Sequence, residues 1–328
     1  MKFSLTVDQR AMRDALRDLL ARECPPAVVR DAWSGHDPAK LWAELADMGL
    51  TGAMVPSEHG GLGLSDVDVV AMLGEVGYAA VPLPVAATVA VAGPALAAAG
   101  DPTGVLPDIA AGRCRVSLVN AGGLAPYGRF ADLFLFLADN AVRLATRADV
   151  ELTDVSTVDG SRAMVRVSGT GAVVTATPEE LALARDRATL AVAAELVGLG
   201  RRMLDLTVGY VSQRRQFGVP VGSFQAVKHQ LATVLQALAF AEPAVLRAAW
   251  SSQTGAATRS RDVSMAYVLA HDASQLAARV ALQCHGAMGY TVEYDLHLFA
   301  KRAWALAAES GGVDQHLDRI GEAIGVGR

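Results

Sequence analysis

The stretch QRRQFGVPVGSFQ, Gln213–Gln225, decides how this chain is read. Apolar helical runs lie on both sides of it, and Gly218, Pro220 and Gly222 rule out a continuous helix across it. The pattern predicts helix, sharp break, helix, with Ser223 placed to cap the second helix. Its polar residues have two readings. Arg214, Arg215 and Gln216 can be a solvated helix end. They can also form an anion site, in which the planar arginine fork suits phosphate, Phe217 offers a face to a flat ring, and Gln225 offers amide hydrogen bonds.

Working outward, the 328 residues suffice for two or three domains. A 52% hydrophobic, 19% charged composition belongs to a buried core and excludes disorder. Aromatics make up only 5%, and the apolar mass of Ala, Val and Leu favours close-packed helices. A net charge of −5 excludes a general nucleic-acid or anionic-membrane binder. Cys24, Cys114 and Cys284 are too few and too scattered for a disulfide framework or a metal cluster, which fits a reducing cytoplasm. Residues 1–9 lack the basic-then-apolar build of a secretory leader. Ala79–Gly100 carries no charged residue and has the length of a membrane span. Pro82, Pro84 and Pro94 interrupt it, so it reads as a turn and a buried helix.

Three regions follow along the chain. In the first, Thr6 and Gln9 have capping-box spacing, and Met12, Leu16, Leu19 and Leu20 share a face of a helix that stops before Pro25-Pro26. Asp37-Pro38 predicts a second helix, with Asp37 as cap, Leu41, Leu45 and Met48 buried, and Gly49 just past its end. Ser65 caps a third, with Asp66 and Asp68 in its first turn and Val69, Val70, Leu73 and Val76 inward. From about Arg113 the pattern changes. Arg115–Val119, Leu133–Leu137, Val142–Ala145 and Ala163–Val167 read as strands, with turns at Asp139-Asn140 and Asp159-Gly160. Helical periodicity returns at Pro178. Ala188–Gln213, Gln225–Trp250, Ser260–His285 and Tyr294–Glu309 have the lengths of a four-helix arrangement, with a turn at Thr254–Ala256. The expected protein is mainly α with a small β domain: residues 1–112 helical, 113–177 a reduced β domain, 178–328 a helical bundle.

Four motifs resemble those of the acyl-CoA dehydrogenase family. They are W-x-E-L-x-x-M-G-L at Trp42–Leu50, V-P-x-E-x-G-G-L-G at Val55–Gly63, R-x-x-F-G with a following Phe224-Gln225, and Gln283-Cys284-His285-Gly286-Ala287-Met288-Gly289-Tyr290. The resemblance implies FAD as cofactor. It places Arg214, Gln216, Phe217, Gln225, Gln283, Gly286 and Gly289 on the ADP and pyrophosphate side of a FAD held mainly by a neighbouring subunit. Ala287 stands where the family has a glycine. His285 reads as structural.

Two departures matter as much. The family's T-E-P-x-x-G-S-D loop, which holds the flavin ring, is replaced by Val119–Pro126, with no Thr, Glu or Ser–Asp pair. The catalytic glutamate is also missing from both places the family uses. Aligning Lys301-Arg302-Ala303 puts Ser310 at the first, with Glu309 one residue early, a turn of about 100° on a helix. Ala188 and Thr189 occupy the second, and the nearby Asp186 and Arg187 read as helix N-terminal charge and a surface pair. The resemblance is therefore to the short, base-less subunit of the heteromeric α2β2 enzymes of actinobacteria that act on steroid side-chain CoA thioesters. It implies a longer partner chain carrying the flavin loop and the glutamate, an acyl-CoA substrate, electron-transfer flavoprotein as acceptor, and a cytoplasmic setting. Two alternatives remain: a self-sufficient homomeric dehydrogenase using Glu309 as base, and a helical scaffold without flavin.

Overall fold

Thr6 closes the predicted capping box on the first helix, α1 (Val7–Glu23): its N–H donates to Gln9 Oε1 at 2.8 Å, and Gln9 N–H donates to Thr6 Oγ1 at 3.2 Å. This computed structural model describes residues 3–138, 141–174 and 177–326. The predicted Asp139-Asn140 turn lies outside them.

Pro25-Pro26 does more than stop α1. Pro26 opens a short helix of its own, α2 (Pro26–Trp33), at a first-turn position where its missing N–H costs nothing. α3 (Ala39–Asp47) follows with Pro38, not Asp37, as its cap. Asp37 instead pairs with Arg115, at 2.6 Å. Gly49 ends this segment at φ 85°. α4 (Asp66–Tyr78) starts at Ser65, whose N–H donates to the Asp68 carboxylate at 2.9 Å, and it buries Val69, Val70, Leu73 and Val76 as expected. The charge-free stretch after it folds as a π-helical turn, Ala87–Ala92, that runs into α5 (Gly93–Ala98). Val89, Val91 and Leu96 are buried there. A five-residue α6 (Leu106–Ala110) completes the region.

The strands form two small sheets. β1 (Val116–Val119) pairs in parallel with β3 (Leu133–Ala138), which continues antiparallel to β4 (Ala141–Thr146) and β7 (Ala172–Val174). β2 (Leu124–Ala125), β6 (Val165–Ser168) and β5 (Glu151–Asp154) make the other sheet, in the order β2-β6-β5. β2 and β7 are too short to show in the sequence pattern, and β5, with Leu152 as its one apolar residue, carries no strand alternation.

The second helical region is built on α7 (Pro178–Gln213), 36 residues long and capped by Thr177 with Glu180. α8 (Gln225–Gln253), α9 (Arg259–His285) and α10 (Leu296–Ala307) pack around it, and an unforeseen α11 (Gly312–Ala323) follows. Asp186 and Arg187 are not a surface pair. Asp186 is 4% exposed and accepts from Arg259 at 2.8 Å, while Arg187 holds Asp66 on α4 with two bonds, at 2.8 and 2.9 Å.

One apolar core runs through both helical regions, with Leu16, Leu45 and Leu73 continuous with Leu196, Tyr267 and Phe299. α4 and α7 meet backbone to backbone. A Cβ on Gly77 would stand 2.2 Å from the Glu195 carbonyl oxygen, and one on Gly198 would stand 1.9 Å from that of Gly74. Only glycine permits that approach, and it fixes the register of α7 against α4.

Candidate functional site

The break between α7 and α8 is a tight hairpin. β8 (Arg215–Gln216) pairs with β9 (Val219–Pro220) across Phe217 and Gly218, at φ 53° and 83°. Two successive left-handed residues are what a two-residue hairpin needs, which is why Gly218 is glycine. Ser223 does not cap α8. Its hydroxyl donates to the Pro220 carbonyl at 2.7 Å, and Phe224 holds the cap position.

The hairpin presents its functional candidates to solvent. Phe217 is 90% exposed, with its ring edge-on to Phe224 at 6.2 Å. Arg214, Gln216 and Gln225 are exposed as well, and no described residue hydrogen-bonds to their side chains. The second predicted cluster lies beside this one. Gln283 is exposed near the end of α9, Gly286 turns the chain at φ 58°, and the turn 286–290 carries Gly289. His285 is buried and stacks on Tyr210 of α7 at 4.3 Å, while Nδ1 faces the Ala281 carbonyl at 2.7 Å. Burial lowers its pKa. It ties the end of α9 to the last turn of α7, so both clusters sit at the same end of the bundle.

A separate cavity of about 110 Å³ lies among α7, α10, the stretch before α5 and the β region. Leu83, Val91, Leu118, Ala188, Val192 and Leu306 give it an apolar wall, and Tyr127, Arg162, Glu195, Glu309 and Ser310 are its polar members. Asn120 is on its rim, but its Oδ1 is engaged, accepting from Gly122 and Leu124 N–H at 2.9 and 3.0 Å to hold its own turn.

Beside this cavity is a buried charged network. Arg302 of α10, 1% exposed, binds Asp159, the Val81 carbonyl at 2.9 Å and Ser161 Oγ at 2.8 Å. Arg162, equally buried, pairs with Glu309. Both guanidinium groups lie over the Tyr127 ring, at 5.6 and 5.5 Å, and burial pushes that phenol up to about 12. Glu195 faces the cavity from α7. Burial pushes its carboxyl up to about 7, against the opposing pull of Arg302 and Arg162.

Glu195 and Arg162 are not among the residues that the sequence singles out as functional. A signal for the first existed: Glu195 is the one charged residue between Arg187 and Arg201, on a helix whose neighbours are Ala, Val and Leu. Arg162 gives no such signal, because its partner is 147 residues away.

Two family descriptions match the chain: "Acyl-CoA dehydrogenase, N-terminal domain" over residues 6–113 and "Acyl-CoA dehydrogenase, C-terminal domain" over residues 179–325. Acyl-CoA dehydrogenase IpdE2 of Mycobacterium tuberculosis is 32% identical over 301 residues, spanning 90% of this chain and 91% of the relative. The chain belongs to the acyl-CoA dehydrogenase family. Members of the family are FAD-dependent oxidoreductases acting on acyl-CoA thioesters. Acyl-CoA dehydrogenase FadE34 of the same organism is 33% identical over 98% of this chain, which spans about half (48%) of that longer protein. Among solved structures, the ChsE4-ChsE5 complex from M. tuberculosis matches over 99% of both chains with a TM-score of 0.88 at 24% identity, a likeness of fold. The family descriptions leave residues 114–178 between them, where the motif matches were poor.

The two ends of FAD fit this acyl-CoA dehydrogenase chain differently. On the ADP side, an exposed arginine, an exposed aromatic face and exposed amides have no partner among the described residues and suit phosphate and a flat ring. On the ring side, Asn120 is already engaged in its own turn. The loop Val119–Pro126 offers no Thr, Glu or Ser–Asp pair to hold the ring.

Proposed function

We propose that this chain is one subunit of a heteromeric FAD-dependent acyl-CoA dehydrogenase and supplies ADP-side contacts to a cofactor whose flavin ring is held by a longer partner chain. Arg214 binds pyrophosphate, Phe217 covers the adenosine end, and Gln216, Gln225, Gln283 and the backbone at Gly286 and Gly289 complete the cradle. Bound FAD supplies the hydride acceptor for α,β-dehydrogenation. The α-proton is taken by a glutamate of the partner, and no residue of this chain is the base. The quaternary arrangement is α2β2, the setting is cytoplasmic, and electron-transfer flavoprotein reoxidises the enzyme. The acyl group belongs to the class named by a neighbour of the same fold, the Tcur3481-Tcur3483 steroid ACAD.

The observation that carries this reading is the hairpin. It is an ordered turn whose Phe217 and Arg214 face outward; Phe217 meets Phe224 edge-on, and the Arg214 side chain has no hydrogen-bond partner among the described residues. A second observation supports assembly. α8 is apolar and long, yet only 28% of its most apolar 18-residue window is buried. Leu235 and Phe240 are 59% and 63% exposed, beside Met265 and Leu269 of α9. Large exposed apolar patches of this kind mark subunit contacts.

Expressing the chain alone and together with a longer acyl-CoA dehydrogenase chain tests the proposal. The lone chain is expected to be colourless and inactive, and the pair yellow, active and of tetramer mass. A yellow, active preparation of the isolated chain would sink the proposal. It would favour the self-sufficient alternative with Glu309 as base.

A further inference from the structure

A different cavity, of about 200 Å³, lies where α1 and the Pro25-Pro26 turn meet α4, α7 and α10. It shares no lining residue with the cavity beside Glu309. Leu20, Pro25, Pro26 and Phe299 give it an apolar wall, and Arg17, Cys24, Glu75, Tyr78 and Arg202 are its polar members. Four of these five are engaged within the chain. Glu75, 1% exposed, accepts from Arg17 at 2.7 and 3.0 Å and pairs with Arg201 at 3.5 Å. The Tyr78 hydroxyl donates to Asp205 at 2.8 Å, and burial raises its pKa against the opposing pull of Arg202. Cys24 turns its sulfur to the Ala79 carbonyl at 3.8 Å, and burial pushes the thiol up to about 12, so it stays neutral. Arg202 is the exception. Its guanidinium lies over the rings of Tyr78 and Phe299, 5.2 Å from each centroid, which meets part of its charge. Its Nε is buried without a hydrogen-bond partner, and no carboxylate pairs with it among the described residues. Arg17 also pairs with Asp14 at 3.4 Å, and Asp14 with Arg13 at 2.8 Å. Arg13, Arg17, Arg201 and Arg202 thus stand against Asp14, Glu75 and Asp205, one cation in excess. A cation withdrawn from water without a counter-ion is costly, and an anion in the cavity would remove that cost.

We propose that this cavity is a binding site for a small monocarboxylate with a compact apolar body, whose carboxylate pairs with Arg202. The planar fork of arginine matches the two oxygens of a carboxylate. One excess cation calls for one negative charge, and a phosphate dianion would leave a charge over. The apolar wall accounts for the body of the ligand. A volume of about 200 Å³, against the roughly 150 Å³ that takes one benzene, admits a single ring. The inference does not rest on FAD binding at the hairpin, so the two fail separately.

Two probes of nearly the same shape separate charge recognition from simple burial: 4-fluorobenzoate and its neutral counterpart 4-fluorobenzamide. Their binding to the full chain is measured by fluorine NMR titration. Hydrophobic burial alone would favour the neutral amide. The proposal expects the reverse, with the benzoate bound at least about tenfold more tightly. Arg202→Met should abolish that preference. Arg202→Lys, which keeps the charge and loses the fork, should retain the preference with weaker binding. If Arg202→Met does not fold, a wild-type crystal soaked with 4-fluorobenzoate decides, and its carboxylate should lie on the Arg202 guanidinium. The proposal is overturned if neither probe binds, if the amide binds as well as the benzoate, if the preference survives Arg202→Met, or if the soaked crystal shows no benzoate at Arg202.

Discussion

Arg162, on the turn before β6, donates its guanidinium to the carboxylate of Glu309, just beyond the end of α10. The acid next in sequence to the family's usual base position is thereby engaged with a cation that has almost no access to water. Glu309→Gln should therefore damage the fold more than the chemistry. Breaking a fully buried pair costs about 3–5 kcal/mol. Glu309 keeps 22% exposure, so about 2–3 kcal/mol is expected in urea unfolding. Turnover of the assembled, folded complex should stay within a few-fold, where loss of a true base costs at least roughly 10²-fold. A hundredfold loss with assembly intact would make Glu309 the base.

Arg214 tests the cofactor reading. Arg214→Ala removes a charge-assisted contact that is worth about 1.5–3 kcal/mol when made to phosphate, or roughly ten- to a hundredfold in FAD affinity of the complex. Near-normal turnover should return with excess FAD. Lysine should rescue only in part, since it keeps the charge but loses the fork. Because the side chain is exposed and without a partner among the described residues, unfolding should shift by less than about 0.5 kcal/mol. Equal FAD dissociation constants for wild type and mutant would leave the hairpin as a helix break and nothing more.

Glu195 predicts a pH dependence with a definite sign. Its carboxyl is pushed up to about 7 in the folded chain and titrates near its ordinary value, about 4.3, when unfolded. Between those two values the folded state holds a proton that the unfolded state has lost. The contribution of this group to stability therefore falls as pH rises from about 4.3 to about 7, by on the order of 3 kcal/mol, and is flat above that. Glu195→Gln should match wild type near pH 4 and exceed it increasingly up to about pH 7. A difference between the two that does not change with pH would contradict the buried, proton-holding carboxyl.

The meeting of α4 and α7 gives a pair of substitutions expected to differ in sign. Gly77→Ala drives a methyl to 2.2 Å from a backbone oxygen, and overpacking of that kind costs about 1–3 kcal/mol or more. At Gly74 the added carbon would find only the Ala194 carbonyl, at 3.9 Å. Gly74→Ala should then be neutral or should gain up to about 1 kcal/mol from helix propensity. Thermal unfolding of the two mutants side by side checks both.

Much of this fold could be read because its signals are local. Thr6 with Gln9, Ser65 with Asp68 and Gly49 act within a few residues of where they stand, and the family motifs are short. What was misread depended on contacts made at a distance. Pro25-Pro26 announces a stop, but whether a new helix starts at Pro26 depends on what Val29 and Ala32 bury against. Asp37 offers itself as a cap until Arg115 arrives from the β region. Asp186 and Arg187 resemble surface charge on paper and are inter-helix clamps in space. Of the site, the exposed hairpin could be found in the sequence, because a tight turn dictates its own residues. The charged network around Tyr127 could not, since it is assembled from three regions of the chain.

The glycine seam between α4 and α7 also sets a timetable. Gly77 leaves the ribosome well before Gly198, the residue that completes the contact with its helix. At about 5–20 residues per second, the roughly 120 intervening residues take about 6–24 s to synthesise. For that interval the inward side of α4, with Val69, Val70, Leu73 and Val76, has no α7 to cover it. The nascent chain must therefore spend its first seconds either bound by a chaperone or exposed to aggregation. Slowing translation between the two helices should lower the yield of soluble protein without changing a single residue of it.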